Sequence, residues 1–283
     1  MDCIKIKIDK HRALFSIKEL LKEEFHVGRS KVEELRNSHS LFLNDVPVSI
    51  NTKLNIGDIL TITFEDEIDF IRDELPIKVV YEDEYLLICD KPSGIIVHPD
   101  DKTKRGTLVN MVANYYFEHG IHRKVRFINR LDKDTTGLVL FAKDFLSEAK
   151  LHYDIESHNV KRDYLAICLN KFSTLEGTIN LPIGKDRHDS KKQVVTRSGK
   201  SAITQYKVKK HISKKLSLVE LNLKTGRTHQ IRVHMAHINH PVLGDTIYGE
   251  GGDRLFLHGY RLSLFHPISR EYLQVESLPD FDK

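Results

Sequence analysis

The sequence contains no run of about eighteen apolar residues, the length a helix needs to cross a bilayer. Its first stretch carries Lys5, Lys7, Asp9, Lys10 and Arg12 where a secretory signal needs an apolar segment. A cytoplasmic location without a membrane partner is expected. Cysteine is scarce: Cys3, Cys89 and Cys168 are odd in number and far apart, which argues against a disulfide framework and against a clustered thiolate metal site. Cys89 and Cys168 stand in apolar, strand-like contexts and read as buried small hydrophobes. A Gly-x-Gly-x-x-Gly turn, a phosphate loop, a fixed-period repeat and a low-complexity tract are all missing. The order of elements also lacks the regular strand-helix alternation of a doubly wound nucleotide-binding fold.

What is present suits one large domain and one small one: 283 residues, 40% hydrophobic and 30% charged. A formal charge of +4 is compatible with a polyanionic partner but does not require one. The distribution says more. Residues 65–74, EDEIDFIRDE, hold six acids against Arg72 and read as a solvated linker. Residues 185–200, KDRHDSKKQVVTRSGK, hold six Lys or Arg against two Asp and read as a basic loop able to approach phosphates, Lys191 and Lys192 among them.

Before the acidic stretch, Ile17, Leu20, Leu21 and Phe25 recur at helical spacing behind a Ser16/Glu19 capping box. A second capping box, Ser30/Glu33, precedes Val32 and Leu35, followed by a short strand, SLFLND, with an Asn44-Asp45 turn. The Gly57-Asp58 turn and the alternation of ILTITF complete a helix-helix-strand unit. Beyond the acidic stretch, IKVVYEDEYLLICDKPSGIIV reads as two strands ending in a DKPSG turn. Helices are expected over 107–116 and 145–156, and strands over DYLAICL, AITQYKVKK, LSLVELNL, DTIYG, LFLHGYRLSL and YLQVES. The resulting expectation is an α+β chain: a small α/β domain over 1–66, an acidic linker over 67–76, and over 77–283 a domain built on a large mixed, mostly antiparallel sheet with flanking helices.

Two sets of motifs resemble known families. HVGRSKVEELRNSHSLFLNDVPV with KLNIGDILTI resembles the small RNA-binding domain shared by a ribosomal protein, some aminoacyl-tRNA synthetases and several RNA-modifying enzymes. There Arg29, Ser30 and Lys31 would open a helix whose cations and free N–H groups meet a phosphate. Asn129-Arg130-Leu131-Asp132-Lys133-Asp134-Thr135-Thr136-Gly137-Leu138 closely resembles the catalytic loop of the pseudouridine synthases that modify large-subunit ribosomal RNA and tRNA. Further matches are DKPSGIIVHP, KRDYLAI, the Gly199-Lys200 pair, KTGRTHQIRVHMAHINHPVLGD and LHGYRL. One position departs: the family usually has histidine where Asn129 stands, and an amide keeps a hydrogen bond but does not titrate near neutrality.

The resemblance implies isomerisation of uridine to its C-glycoside with no redox change, hence no cofactor. Asp132 would be the essential carboxylate, attacking C1′, attacking the base, or removing a ribose proton. Arg130 would hold the helix stack open when the uridine is extracted, and Tyr164 would offer its ring to the uracil. Arg232 would pair with the carboxylate, and Arg227 would orient RNA or the catalytic loop. Asn129, His229, Gln230 and Leu257 would support the site. His229, His234, His237 and His240 invite a metal reading, but no thiolate cluster or zinc signature completes one, and packing is the expected role. The expected partner is RNA, most of all large-subunit ribosomal RNA or its precursor particle, met by a monomer. Competing readings are a tRNA substrate, a catalytically silent RNA-binding or ribosome-assembly protein, and hydrolysis of the glycosidic bond, for which no paired second carboxylate is visible.

Overall fold

The computed structural model describes residues 2–189 and 191–281; Met1, Asp282, Lys283 and Ser190 of the basic loop lie outside the described residues. The N-terminal unit comprises β1 (Asp2–Lys7), α1 (Ile17–Glu19) running into a π-helical turn (Leu20–Glu24), α2 (Arg29–Asn37), β2 (Leu41–Leu43), β3 (Val46–Pro47) and β4 (Ile59–Phe64). Its sheet has the order β1-β4-β2-β3. Ser16 and Glu19 close the expected capping box. Asn44 and Asp45 both adopt positive φ in the turn that joins β2 to β3, a conformation these two residues tolerate better than most. The sequence reading had no strand at the start. Yet Ile4 and Ile6 are buried and alternate with exposed Lys5 and Lys7, the pattern of a strand covering one face. The second capping box does not form: α2 is capped at Gly28, and Ser30 lies within the first turn.

The remaining elements are β5 (Lys78–Glu82), β6 (Leu86–Lys91), α3 (Leu108–Glu118), β7 (Arg126–Phe127), β8 (Thr136–Ala142), α4 (Phe145–Glu156), β9 (Lys161–Leu169), β10 (Glu176–Asn180), β11 (Ile183–Lys185), β12 (Gln193–Val195), β13 (Ile203–His211), β14 (Leu216–Leu223), α5 (Gln230–His237), β15 (Leu257–Phe265) and β16 (Tyr272–Glu276). The large sheet runs β10-β13-β14-β9-β15-β8-β6-β5, with β16 on β15 and β7 on β8. Its pairings are antiparallel except that of β15 with β8. It is the mixed, mostly antiparallel sheet of an α+β fold. DTIYG, expected as a strand, is instead a run of turns after α5. The basic stretch forms a separate hairpin, β11 with β12.

One apolar cluster joins β6, β8, β9 and β14 to α3 and α5, burying Cys89, Phe141, Tyr164 and Tyr116 together. A second lies where β6 and β8 meet α4. The N-terminal core continues onto the large unit through Leu146 and Ile268. Arg12 reinforces that junction, paired with Glu24 at 2.6 Å and donating to the Ile268 carbonyl at 2.8 Å. The acidic stretch is not solvated along its length. Asp66 pairs with Arg126 at 2.7 Å, Asp69 accepts from the Val125 N–H at 3.1 Å, and Asp73 accepts from the Gly106 N–H at 2.9 Å. Ile68 and Phe70 pack on the main core between these contacts. The stretch is a strap: Asp66, Asp69 and Asp73 are spent on the body beneath it, while Glu65, Glu67 and Glu74 stay exposed.

Candidate active site

The loop between β7 and β8 is anchored on three sides. Upstream, the buried Asn129 amide imitates a strand residue: Oδ1 accepts from the Leu140 N–H at 2.8 Å and Nδ2 donates to the Leu138 carbonyl at 3.3 Å. The amide standing at the usual histidine position is therefore a structural tie. Downstream, Gly137 has φ +117°, and a Cβ there would collide with the Gly259 backbone, because β8 and β15 approach closely where they pair in parallel. From the side, Lys91 is fully buried at the end of β6 and donates to the carbonyls of Pro92 (2.9 Å), Ile95 (2.7 Å) and Lys133 (2.9 Å). Burial pulls this ammonium down to about 8, opposed by Asp134 and Asp132. Lys91 was not singled out from the sequence, although its DKPSG turn was.

These anchors leave Asp132 a quarter exposed, with its Oδ2 3.7 Å from Nη1 of Arg232. Arg232 projects from α5 and is itself held by Asp245: Nε to Oδ2 at 2.7 Å and Nη2 to Oδ1 at 2.8 Å, a bidentate charged pair. Asp245 also accepts from the N–H groups of Ile247 and Tyr248. Burial works against both charges, but the pair overcomes it: the Arg232 pKa is raised and that of Asp245 is lowered. Asp245 is the main site residue that sequence reasoning missed. It closes the HINHPVLGD stretch, within the segment misread as a strand, and only its contact with Arg232 gives it a role.

Tyr164 on β9 is buried, its ring edge facing Gly259, and burial raises its pKa so that the hydroxyl stays protonated. His229 precedes α5 in a left-handed conformation, its Nδ1 2.9 Å from the Tyr248 hydroxyl. Burial lowers its pKa against the field of Asp132, so the ring is neutral at pH 7. The Tyr248 hydroxyl accepts from the Gln193 N–H at 2.8 Å, tethering the basic β11–β12 hairpin beside Arg232. Gln230 is buried and crosslinks Thr225 and the Arg227 N–H to Ile203 and Thr204. Leu257 packs in the core beneath.

Arg130 is exposed beside Asp132. Arg227 is exposed and donates through Nε to the Ser201 carbonyl. Lys191 is exposed and Lys192 half-buried on the hairpin. Arg29, Ser30 and Lys31 are not brought to this site; they open α2 in the N-terminal unit. Lys31 turns toward α4, over the Phe145 ring at 4.8 Å, and pairs with Glu34. His234 bonds Thr204 and the Leu181 carbonyl, and His240 stacks on Phe172, the packing roles expected of them. A cavity of about 540 Å³ between the two units is lined by His11, His26, Lys150 and Arg270, away from the candidate residues.

Residues 85–237 match the family model described as RNA pseudouridylate synthase, and residues 4–60 match that of the RluD ribosomal pseudouridine synthase N-terminal domain. The uncharacterized RNA pseudouridine synthase YhcT of Bacillus subtilis (strain 168) is 38% identical over 270 residues, 93% of this chain and 88% of the relative. Ribosomal large subunit pseudouridine synthase D of Vibrio parahaemolyticus is 34% identical over 276 residues, 89% and 84% of the two chains. Among solved structures, Human RNA Pseudouridylate Synthase Domain Containing 1 superposes with a TM-score of 0.61 at 25% identity, covering 73% of this chain and 84% of that one.

Proposed function

The chain belongs to the RNA pseudouridylate synthase family, and on that premise we propose that it isomerises uridine to pseudouridine in large-subunit ribosomal RNA, with Asp132 as the essential carboxylate. The observation that carries the catalytic assignment is the relay behind Asp132. A carboxylate at the mouth of the site faces a buried arginine that is oriented by a second, sealed carboxylate. Such a cation offsets the cost of enclosing the Asp132 carboxylate when RNA excludes water, and the bidentate clamp prevents it from collapsing onto the catalytic group. Asp245 is committed to Arg232 and two N–H groups, so it is not free to serve as a paired general acid. That supports isomerisation over hydrolysis.

In the reaction the N1–C1′ bond breaks, the uracil turns, a C5–C1′ bond forms, the C5 proton is lost and N1 ends protonated. Tyr164 offers a rigid, neutral ring against the uracil, and Arg130 is free to occupy the space that the extracted nucleotide leaves. The hairpin with Lys191 and Lys192, Arg227, and the opening of α2 with Arg29 and Ser30 contribute phosphate contacts. Residues 1–66 serve as the RNA-capturing unit, 67–76 as its connection and 77–283 as the catalytic domain of a cytoplasmic monomer.

Mapping of pseudouridine by carbodiimide-dependent reverse-transcription stops, in RNA from cells with and without the gene, tests the substrate. Loss of a discrete large-subunit signal is expected. Loss confined to tRNA would replace the ribosomal assignment, and release of free uracil by the purified protein would replace isomerisation.

A further inference from the structure

Arg162 has no role in the site as built so far, yet its surroundings are those of a residue awaiting an anion. It stands two residues before Tyr164 on β9. The alternation of a strand puts both side chains on the same face, roughly 7 Å apart along the chain. Asp163 between them points to the other face and is committed to Arg261 at 2.9 Å and Asn222 at 2.6 Å. Arg162 is half-buried: its Nε is sealed inside the fold, which leaves the two Nη groups as the side that a ligand can reach. Among the described residues no carboxylate pairs with it. A partly desolvated guanidinium with no carboxylate beside it favours an anionic ligand at its open Nη edge. The KTGRT turn makes room for the group: a Cβ on Gly226 would sit 3.1 Å from Nη1 of Arg162.

We propose that Arg162 binds the phosphodiester group flanking the uridine held against Tyr164, and so fixes the backbone of the extracted nucleotide while its base is turned. This rests on the reading of Asp132 and Tyr164 given above. Arg130 and Arg227 are exposed and reach their positions at an entropic cost, whereas Arg162 is pre-positioned by β9 and by the turn at Gly226. Its planar fork suits a phosphate.

The test uses the full-length protein and synthetic RNA stem-loops bearing the target uridine, with either natural phosphates or one neutral methylphosphonate beside that uridine. With natural RNA, Arg162→Met should lower kcat/KM by about tenfold, the scale of one charge-assisted contact, and Arg162→Lys should recover part of the loss. Wild type should lose a similar factor on the methylphosphonate RNA, and R162M should lose nothing further. If R162M and wild type suffer the same methylphosphonate penalty while wild type forms pseudouridine normally, the clamp is overturned and the proposed function stands. A wild-type protein that makes no pseudouridine in any RNA takes both down. The wild-type comparison between the two RNAs holds even if R162M folds poorly.

Discussion

Asp245→Asn probes the relay behind the catalytic group. In the wild type Asp245 is fully buried and receives two charge-assisted hydrogen bonds from Arg232, at 2.7 and 2.8 Å, besides two from backbone N–H groups. The amide keeps one acceptor oxygen and turns a donor toward the guanidinium. At least one charged bond is lost, worth about 1.5–3 kcal/mol, and Arg232 remains as a buried cation facing only Asp132. Breaking a buried pair by removing one partner costs about 3–5 kcal/mol, equivalent to a fall of about 10 °C in melting temperature for a chain of this size. The rate should fall about 100-fold, because Arg232 no longer holds its position beside Asp132. The assays are thermal melting and pseudouridine formation on a transcript containing the target uridine. The double variant Asp245→Asn/Arg232→Met separates the two effects. With the uncompensated charge gone, stability should return to within about 2 kcal/mol of wild type, while activity stays low. A double variant less stable than D245N, or a D245N enzyme at the wild-type rate, would refute the reasoning.

Asp132→Asn should abolish isomerisation and leave folding and most RNA affinity intact, since phosphate contacts elsewhere dominate binding; product analysis beside a filter-binding titration checks both. Lys91 makes a pH prediction. Its folded pKa of about 8 lies below the ordinary lysine value of 10.5, so the unfolded chain binds more protons between those values and stability rises with pH across that window. Activity should move the other way: a neutral amine cannot donate to all three carbonyls that tie the catalytic loop, so kcat should show an alkaline limb near 8 without loss of the urea midpoint. A limb that persists unchanged in Lys91→Met would dismiss this origin. Gly137→Ala should yield misfolded or inactive protein, because a methyl group meets the Gly259 backbone; normal melting and turnover would contradict the close approach of β8 and β15. Removing residues 1–64 should weaken RNA capture and also lower the melting temperature, since Leu146 and Ile268 lose their cover; equal RNA affinity at several salt concentrations would count against RNA capture by that unit.

The reading of the catalytic loop came from contiguous residues, and so did the Ser16/Glu19 cap, the Asn44-Asp45 turn and the burial of Cys89 and Cys168. In each, the interacting groups lie within a few residues, so short-range pattern carries the physics. The strand at Asp2–Lys7 is legible in the alternation of Ile4 and Ile6 with Lys5 and Lys7, a period of two that needs no distant contact to be read. The acidic stretch looked solvated throughout because Asp66, Asp69 and Asp73 find Arg126, Val125 and Gly106 more than thirty residues away. That Lys31 lies over the Phe145 ring was not legible, because the two neighbours in space are remote in sequence. The order of contiguous motifs by itself carried the resemblance to the family and pointed to Asp132 as the carboxylate proposed for its chemistry. Only the tertiary structure decided what orients that carboxylate: Lys91 reaches Lys133 across 42 positions, Gly137 meets Gly259 across a strand pairing, and Asp245 clamps Arg232. Chain reversal makes those partners neighbours, and no local spacing encodes it.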